Sequence, residues 1–309
     1  MSRDFTQWTW NAALEADVRR LTREAVQEDL DRTYDWTTVS LAPPEAEAAA
    51  DVAARKPGVI AGLNAVGIIL DEMQCRATWT ATRKDGDHVQ AGDCVGVLRG
   101  SARDLLTAER TILNLVCRLS GVATTAAKYV AAIAGTNARI YDTRKTTPGW
   151  RRLEKYAVRC GGAQNHRTGL YDAILIKDNH LALGRHVAEG RYTPGQAVDK
   201  ARAFLQQHFA VAASEEPMLI EIEVDSLEQL REVLPHRPDI VLLDNMSPAQ
   251  LREAVALRAA AGAACELEAS GGINLETIRG VAETGVDRIS VGAMTHSAPI
   301  LDLGLDWEE

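Results

Sequence analysis

The sequence lacks the features that mark disulfide-rich secreted proteins, thiolate zinc sites and membrane-spanning proteins. Its five cysteines are odd in number, widely spaced and never in a CxxC pair, which predicts reduced packing residues. No apolar run approaches the roughly 20 residues needed to span a bilayer, and the N-terminal residues lack the apolar core of a secretory signal. We therefore expect a soluble, cytoplasmic protein.

Positive charge is also in short supply. The chain carries 34 Lys and Arg residues against 43 Asp and Glu residues, a formal net charge of -9, and its sequence pI is near 5.4. A nucleic-acid groove would have to form against this net field, so we expect no nucleic-acid partner and no membrane partner. With 309 residues, 46% of them hydrophobic, the chain can bury a full core in one to three domains.

The first half of the chain contains two segments with helical periodicity. Residues 11–29 carry apolar side chains at helical spacing with charges between them, which predicts an amphipathic helix. Residues 101–135 have a broad apolar side and predict one or two helices, with Gly121 as the expected break.

Short strands are predicted between those two helices. Residues 75–82 and 94–98 are rich in alternating or β-branched side chains, and glycine turns at Gly86 and Gly92 separate such runs. This part of the chain therefore predicts a compact α+β module.

From about residue 139 onward, short apolar runs alternate with helical segments such as 194–209 and 248–261. Repeated β/α units predict parallel strands, and at least six of them favour a (β/α) barrel, with an open doubly wound sheet as the alternative. The predicted strands are residues 139–143, 173–177, 218–224, 239–243, 265–269 and 288–291.

Polar residues follow each predicted strand at its carboxyl end, where a barrel places its chemistry. They are Arg144 and Lys145, Lys177, Glu223 and Asp225, Asp244, Ser270 with Gly271 and Gly272, and Gly292. Within residues 220–225 the period of two puts three acids on one inward face. Inward acids need cations, a metal or ligand hydroxyls, and structural pairing with Lys145 or Lys177 is the alternative interpretation.

Cations are concentrated in residues 141–180 against the overall charge balance. They lie at the ends of apolar runs and in glycine-rich turns, which predicts a pocket for a small, heavily anionic ligand. His166 fits a general acid or a donor to a carboxylate, and Arg167 beside it can hold a carboxylate with two hydrogen bonds. The glycine turns at 269–273 and 291–297 can present backbone N–H groups to a phosphate monoester.

Taken together, these motifs resemble the quinolinate phosphoribosyltransferase family, one of the type II phosphoribosyltransferases. The resemblance covers most of the chain, and its many separate motifs make it highly specific. The motifs are EDL (28–30), DWTT (35–38), AERTILN (108–114), LSGVAT (119–124), DTRKTTPG (142–149), NHR (165–167), LIKDNH (175–180), the acids of 221–225, LDN (243–245) and the two glycine turns. Two departures are Trp36, where a small aliphatic residue is usual and a core contact would be altered, and an extra loop at 184–193.

The resemblance implies a decarboxylating transfer in NAD biosynthesis, catalysed by a pentosyltransferase. Quinolinate and phosphoribosyl pyrophosphate would yield nicotinate mononucleotide, pyrophosphate and carbon dioxide, with Mg²⁺ as cofactor. The expected catalytic residues are Lys145, Lys177, Glu223 and Asp244.

Substrate contacts are implied in the same way. By similarity, Arg144, His166, Arg167 and Lys177 hold the quinolinate carboxylates, with Thr143 beside them, and Lys145 faces the pyrophosphate. Glu223 and Asp244 serve the ribose hydroxyls and contact Mg²⁺ only indirectly, through the pyrophosphate. Ser270, Gly271, Gly292 and His296 cradle the 5'-phosphate.

The resemblance also implies a fold and an assembly. Residues 1–118, joined by the C-terminal tail 297–309, would form an N-terminal α/β sandwich domain, and residues 119–296 an incomplete α/β barrel that carries the catalytic site. Arg110 would reach into the site of a partner subunit, which makes a homodimer the smallest active unit.

Three other functions remain open from the sequence. A molybdenum-associated homologue and a nicotinate phosphoribosyltransferase of the same fold are the nearest, although a nicotinate enzyme has only one ring carboxylate to neutralise. A noncatalytic sensor of phosphoribosyl ligands is the third, although it has no use for groups that act in a transition state.

Overall fold

The computed structural model describes residues 4–183, 192–209 and 218–308, and the chain divides into two compact units. The antiparallel unit, named for its main sheet, comprises residues 7–128, 145–163 and 294–308. The parallel unit comprises the described parts of residues 4–6, 129–144 and 164–293.

Helices and strands are numbered in chain order. The helices are α1 (Ala12–Leu30), α2 (Trp36–Leu41), α3 (Leu63–Glu72), α4 (Ala102–Ala132), α5 (Arg151–Cys160), α6 (Asp178–Leu183), α7 (Pro194–Phe209), α8 (Leu227–Val233), α9 (Pro248–Ala260), α10 (Ile278–Ala282) and α11 (Ala293–His296). The strands are β1 (Glu47–Ala54), β2 (Gly58–Val59), β3 (Ala77–Ala81), β4 (His88–Val89), β5 (Cys94–Ser101), β6 (Arg139–Tyr141), β7 (Ile174–Ile176), β8 (Ile220–Val224), β9 (Ile240–Asp244), β10 (Glu266–Ser270), β11 (Arg288–Ser290) and β12 (Leu303–Trp307).

The antiparallel unit is built on a four-stranded sheet with the strand order β12-β1-β5-β3. Glycine turns precede strands β4 and β5 of this unit. Gly86 and Gly92 adopt positive φ angles of 95° and 90°, which only glycine takes without strain. The predicted helix at 11–29 is confirmed as α1, which begins where the Asn11 side chain accepts hydrogen bonds from the amides of Ala13 and Leu14. The predicted α+β module is confirmed.

Gly121 does not break a helix, so that prediction is wrong. α4 runs without interruption from Ala102 to Ala132. A Cβ atom at position 121 would lie 2.1 Å from the carbonyl oxygen of Pro299 and 2.8 Å from the Cα of Ile300. Glycine is therefore needed because the C-terminal segment passes directly over the helix backbone, a contact that helical patterning cannot reveal.

The parallel unit contains six parallel strands in the order β6-β11-β10-β9-β8-β7. Each strand from β7 to β11 lies beside its successor, and β11 pairs with β6, so the sheet curls back on its first strand. An isolated parallel bridge joins Tyr141 to Gln164. This is the incomplete barrel expected, not a doubly wound sheet, and each strand end lies within two residues of its predicted position.

The amino ends of the parallel strands are filled by the first described residues. Phe5 is 4% exposed and packs with Ala173, Leu219 and Ile240 beside the strand starts. Asp4 accepts a hydrogen bond from the Tyr141 hydroxyl at 2.7 Å and another from Arg288 at 2.9 Å. The N-terminal residues therefore form part of the core of this unit.

The predicted domains and the compact units divide the chain at different points. The prediction places one boundary after residue 118, whereas the antiparallel unit extends to residue 128 and also takes residues 145–163. The predicted extra loop at 184–193 lies outside the described residues except for Tyr192 and Thr193.

All five cysteines are free in this structure, and Cys117 and Cys265 are buried. Burial raises the pKa of Cys75 and of Cys265 to about 11, so both remain thiols at neutral pH. Within the described ranges, every helix is too short or too polar to cross a membrane.

We predict that Gly121→Ala lowers the free energy of unfolding by about 2 kcal/mol, because overpacking against the C-terminal backbone outweighs the better helix propensity of alanine. Urea unfolding measures the change. The matched control is Gly67→Ala in α3, where a new Cβ would meet no atom within 4 Å, and which should raise stability by up to about 1 kcal/mol. Equal effects of the two substitutions would contradict the close approach at Gly121.

Candidate active site

Two arginines come together at the carboxyl end of the parallel sheet. Arg144 follows β6, and Arg167 follows the bridge at Gln164. Burial lowers the pKa of Arg167, and the nearby Arg144 charge lowers it further. The Nε atom of Arg144 is buried and has no hydrogen-bond partner among the described residues. Two guanidinium groups held close together, one with an unused donor, favour an anionic ligand with more than one carboxylate.

The loop that carries Arg167 is held by a buried acid. Asp142 is fully buried, and it accepts hydrogen bonds from the side chain of Asn165 and from the amide of His166, both at 2.8 Å. The Arg167 guanidinium also donates to the carbonyl of Ala173 at 3.1 Å. Asp142 has no predicted role, although it lies near the end of a predicted strand, as the other polar site residues do.

His166 is bonded through both ring nitrogens inside the parallel unit. Its Nδ1 accepts the amide hydrogen of Arg167 at 2.8 Å, and its Nε2 lies 3.1 Å from Glu221 Oε2 and 3.5 Å from Glu268 Oε1. The ring is 5% exposed and stacks on Phe5 with centroids 4.3 Å apart. A nitrogen that accepts an N–H carries no proton, so the proton sits on Nε2 and the ring is neutral.

His166, Glu221 and Glu268 place three potential metal ligands within 4.8 Å of one another. Of the four carboxylate oxygens, only Glu221 Oε1 is hydrogen-bonded to Nε2, at 3.4 Å; Glu221 Oε2 and both oxygens of Glu268 have no hydrogen-bond partner among the described residues. Both carboxylates are fully buried. Burial raises the pKa of Glu268 to about 7, and the Glu221 charge raises it too, whereas the Arg288 charge, and His166 when its ring is protonated, lower it. The alternation rule that found Glu221 on β8 would have found Glu268 on β10 as well.

The next layer toward the carboxyl ends of the strands contains Lys177, Glu223 and Asp244. Lys177 follows β7 and pairs with Glu223 near the end of β8, as the structural interpretation anticipated. Asp244 ends β9 and accepts a hydrogen bond from the side chain of Asn245 at 2.7 Å. Both carboxylates are only partly buried, so they remain accessible to hydroxyls or to a hydrated cation.

The glycine turn after β10 packs directly on the residue after β9. Gly271 and Gly272 have φ angles of 95° and 61°, and a Cβ on Gly271 would lie 2.2 Å from the side-chain oxygen of Asn245. Ser270, the last residue of β10, pairs in register with Asp244. Gly292 lies two residues after the end of β11 and is half-buried.

Three predicted site residues belong to the antiparallel unit. Arg110 has a 71% exposed side chain and lies 3.4 Å from Glu109 of the same helix. Lys145 is exposed, and its carbonyl accepts a hydrogen bond from the hydroxyl of Thr295 at 2.8 Å. His296 is exposed, with its Nδ1 2.6 Å from the hydroxyl of Ser297.

An incomplete barrel of parallel strands with cations and acids at its carboxyl rim has the arrangement in which (β/α)-barrel enzymes place their active sites. The family model for the quinolinate phosphoribosyl transferase C-terminal domain matches residues 122–306, and that for the N-terminal domain matches residues 35–120. The chain therefore belongs to the quinolinate phosphoribosyl transferase family.

Relatives agree with this placement. The chain is 44% identical over 295 residues to the nicotinate-nucleotide pyrophosphorylase [carboxylating] of Mycobacterium leprae, covering 94% of this chain and 98% of the relative. It is 38% identical over 289 residues to the probable enzyme of the same name from Bacillus subtilis, covering 94% and 93%. The solved nicotinate-nucleotide pyrophosphorylase of Francisella tularensis superposes with a TM-score of 0.84 at 34% identity, covering 100% of both chains.

We predict that Glu268→Gln makes stability less dependent on pH. Because the pKa of Glu268 is raised from 4.5 to about 7, its contribution is fully present below pH 4.5 and is lost as pH rises through about 7. Glutamine mimics the protonated carboxyl, so the variant should gain stability relative to the parent chain between pH 5 and pH 8. Urea midpoints at several pH values measure this, with the 81% exposed Glu228 changed to Gln as control. Parallel pH profiles for Glu268→Gln and the parent chain would rule out the raised pKa.

We predict that the His166 ring is neutral at pH 7.5, with its proton on Nε2. Long-range ¹H–¹⁵N correlation spectra distinguish this form from an imidazolium, because only one ring nitrogen then carries hydrogen. The resonances are assigned by their absence from His166→Gln. Two protonated ring nitrogens would contradict the hydrogen-bonding pattern at His166.

Proposed function

We propose that this chain catalyses the decarboxylating transfer of a phosphoribosyl group to quinolinate. Phosphoribosyl pyrophosphate is the donor, and the products are nicotinate mononucleotide, pyrophosphate and carbon dioxide. The observation that carries the proposal is the pair of closely placed guanidiniums of Arg144 and Arg167, one with a buried, unpartnered Nε. Quinolinate is a small aromatic dianion whose two adjacent carboxylates match such a pair. The names of the relatives, pyrophosphorylases of the carboxylating type, agree with this reaction.

The quinolinate carboxylates are assigned to Arg144, Arg167 and Lys177, with Thr143 beside them. Lys177 is paired with Glu223 in this structure. On substrate binding, the Lys177 ammonium would leave the Glu223 carboxylate and pair with a carboxylate of quinolinate. His166 was assigned to the same carboxylates by resemblance. Because both of its ring nitrogens are bonded within the parallel unit, we assign it to holding the backbone of Arg167.

The phosphoribosyl donor is assigned to the remaining predicted residues. Lys145 would contact the pyrophosphate, and Glu223 and Asp244 the ribose hydroxyls. The turn carrying Ser270 and Gly271 continues into the exposed Gly272, where a Cβ would meet no atom within 4 Å; with Gly292 and His296, this turn is assigned to the 5'-phosphate.

Mg²⁺ is part of the proposal. Glu223 and Asp244 end neighbouring strands and offer partly accessible carboxylate oxygens, which are the ligands that a hard cation prefers. They would hold the ion indirectly, through pyrophosphate. Such an ion, when bound, offsets negative charge on the leaving pyrophosphate.

The chain's own groups can promote the transfer by electrostatics. As the bond between the anomeric carbon and pyrophosphate breaks, positive charge develops on the ribose, and the carboxylates of Glu223 and Asp244 stabilise that charge. The pyridine nitrogen then bonds to the anomeric carbon. A positively charged ring nitrogen stabilises the electron pair left when the adjacent carboxylate departs as carbon dioxide, and a proton from solvent replaces that carboxylate.

A homodimer with Arg110 acting across the interface is also proposed. The Arg110 side chain is 71% exposed and lies 3.4 Å from Glu109 of the same helix, so it is accessible to a partner. Large apolar side chains are exposed on the same unit, including Trp36 at 66% and Leu41 at 78%. Trp36 therefore alters no core contact within the chain, contrary to the expectation from sequence, and is available to a partner. A cytoplasmic location fits the five free cysteines.

The decisive assay mixes the purified protein with quinolinate, phosphoribosyl pyrophosphate and Mg²⁺ and follows carbon dioxide and nicotinate mononucleotide. Omission of each component is the control. Nicotinate in place of quinolinate tests the alternative phosphoribosyltransferase, because it carries only one carboxylate. Product formation from nicotinate but not from quinolinate would overturn the proposal.

We predict that Arg144→Ala lowers kcat/KM by about 10² to 10³-fold, because removing one fixed cation costs roughly 3–4 kcal/mol of transition-state stabilisation. The fold should be intact, as judged by the urea midpoint. Arg231→Ala on α8, where the side chain is 47% exposed and pairs with Glu253, is the matched control and should retain activity. Near-normal turnover by Arg144→Ala would remove Arg144 from the site.

A further inference from the structure

A buried ion pair in the antiparallel unit lies next to two of the predicted substrate loops. Arg118 on α4 donates from Nε and Nη2 to Glu154 Oε1 on α5, at 3.1 Å and 2.6 Å. The Glu154 side chain is fully buried, and that of Arg118 is 21% exposed. The substrate residues assigned above include neither of these two.

Glu154 also holds the loop that carries Lys145. Its Oε2 accepts the amide hydrogen of Thr147 at 3.1 Å, and its Oε1 accepts the Thr147 hydroxyl at 2.9 Å. One buried carboxylate thus receives two donors from Arg118 and two from Thr147, whose own side chain lies at the surface. The loop is fixed from its buried side, two residues after Lys145.

Arg118 holds the segment that carries His296. Its Nη1 donates to the carbonyl of Ala298 at 3.0 Å, and its Nη2 also donates to the carbonyl of Thr295. The hydroxyl of Thr295 in turn donates to the carbonyl of Lys145 at 2.8 Å. These hydrogen bonds link Lys145, Thr295, Arg118, Glu154 and Thr147 in turn, and the peptide chain from Thr147 back to Lys145 closes the circuit.

Stability alone is a weak explanation for this circuit. A buried ion pair gains little over well-packed apolar residues, because desolvation offsets most of the attraction. Apolar residues cannot make directed hydrogen bonds. A planar guanidinium can donate to one carboxylate and two carbonyls at once, in a fixed geometry that lysine does not reproduce. The circuit fixes the backbone of the Lys145 loop relative to that of the 295–298 segment before any ligand binds. Such preorganisation lowers the entropic cost of binding.

We propose that Glu154 and Arg118 are positioning residues for the phosphoribosyl donor. They act through Lys145 and through the 295–298 segment, and not on quinolinate. This inference rests on the proposed function, which assigns Lys145 to the pyrophosphate and His296 to the 5'-phosphate.

Steady-state kinetics of Glu154→Gln test the inference. Glutamine keeps the size of the side chain but removes its charge and one of its acceptor oxygens. The KM for phosphoribosyl pyrophosphate should rise about 10-fold, while the KM for quinolinate changes less than about 2-fold. Arg118→Lys should behave in the same way, because lysine cannot reach all the acceptors. An equal rise in both KM values, or a fall in kcat alone, would overturn the assignment to the donor.

The matched control is Asp17→Asn. Asp17 is another buried carboxylate of the antiparallel unit and receives two hydrogen bonds from Arg152 of α5, at 2.7 Å and 2.8 Å. Among the described residues Asp17 bonds directly to neither loop; its neighbour Arg20, 3.7 Å away, donates to the carbonyl of Gly149 at 2.7 Å, so only the 295–298 segment is independent of Asp17. If Glu154 has only a structural role, Asp17→Asn and Glu154→Gln should lower stability by similar amounts. Neither should then change the ratio of the KM for phosphoribosyl pyrophosphate to the KM for quinolinate.

A double-mutant cycle tests whether Glu154 acts through Lys145. In the background of Lys145→Ala, Glu154→Gln should change the KM for phosphoribosyl pyrophosphate by less than about 2-fold, because the group it positions is already gone. Fully additive effects of the two substitutions would sink the proposed route.

Hydrogen exchange separates failure of this inference from failure of the proposed function. Glu154→Gln should speed exchange in peptides spanning 143–150 and 293–298, and Asp17→Asn should leave exchange in 293–298 unchanged. Unchanged exchange there would refute the circuit whatever the enzyme does. Faster exchange without any change in KM would refute its role in donor binding. If the parent protein does not turn over quinolinate, the inference can still be tested by measuring the affinity for magnesium pyrophosphate with calorimetry. Equal affinities of the parent protein and Glu154→Gln would overturn the inference.

Discussion

Charge buried inside the ring of parallel strands is the constraint on which the rest of this structure depends. An ionised side chain away from water must be matched by an opposite charge or by directed hydrogen bonds, and the interior satisfies this in layers. At the amino ends of the strands, Arg288 is matched by Asp4 and Glu266. Above them lie Glu221 and Glu268 beside His166, where burial raises the pKa of Glu268 to about 7 and so favours its uncharged form. At the carboxyl rim, Arg144 and Arg167 bring two positive charges close together, which the proposed anionic ligand would offset.

The groups that face a ligand sit on backbone held by acids that do not. Asp142 fixes the loop of Arg167 through the Asn165 side chain and the His166 amide, and Glu154 fixes the loop of Lys145 through Thr147. In both cases a fully buried carboxylate accepts backbone hydrogens. The same arrangement occurs on two loops, one in each unit. Buried acids hold the backbone of each loop, and other side chains of the loop remain available to substrates.

Most of the fold could be predicted from the sequence, because the signals involved are local. The six parallel strands follow from apolar runs of fixed length, and the inward acids of β8 follow from the period of two. Gly121 was misinterpreted because a glycine that permits close approach of a distant segment looks the same as one that ends a helix. The Arg118–Glu154 pair was missed because its residues are 36 apart in sequence and fit the helical patterns in which they occur. The neutral state of His166 depends on three segments meeting, which no single motif encodes.

Strand β12 has a consequence for how the chain is made. It pairs along β1 from Ala50↔Trp307 to Ala54↔Leu303, so an outer strand of the antiparallel sheet is supplied by residues translated some 250 positions after its neighbour. During synthesis one hydrogen-bonding edge of β1 therefore stays uncovered until residues 303–307 have been made. The sheet begins with β1 and is completed by β12, so it remains incomplete while all the strands of the parallel unit are made.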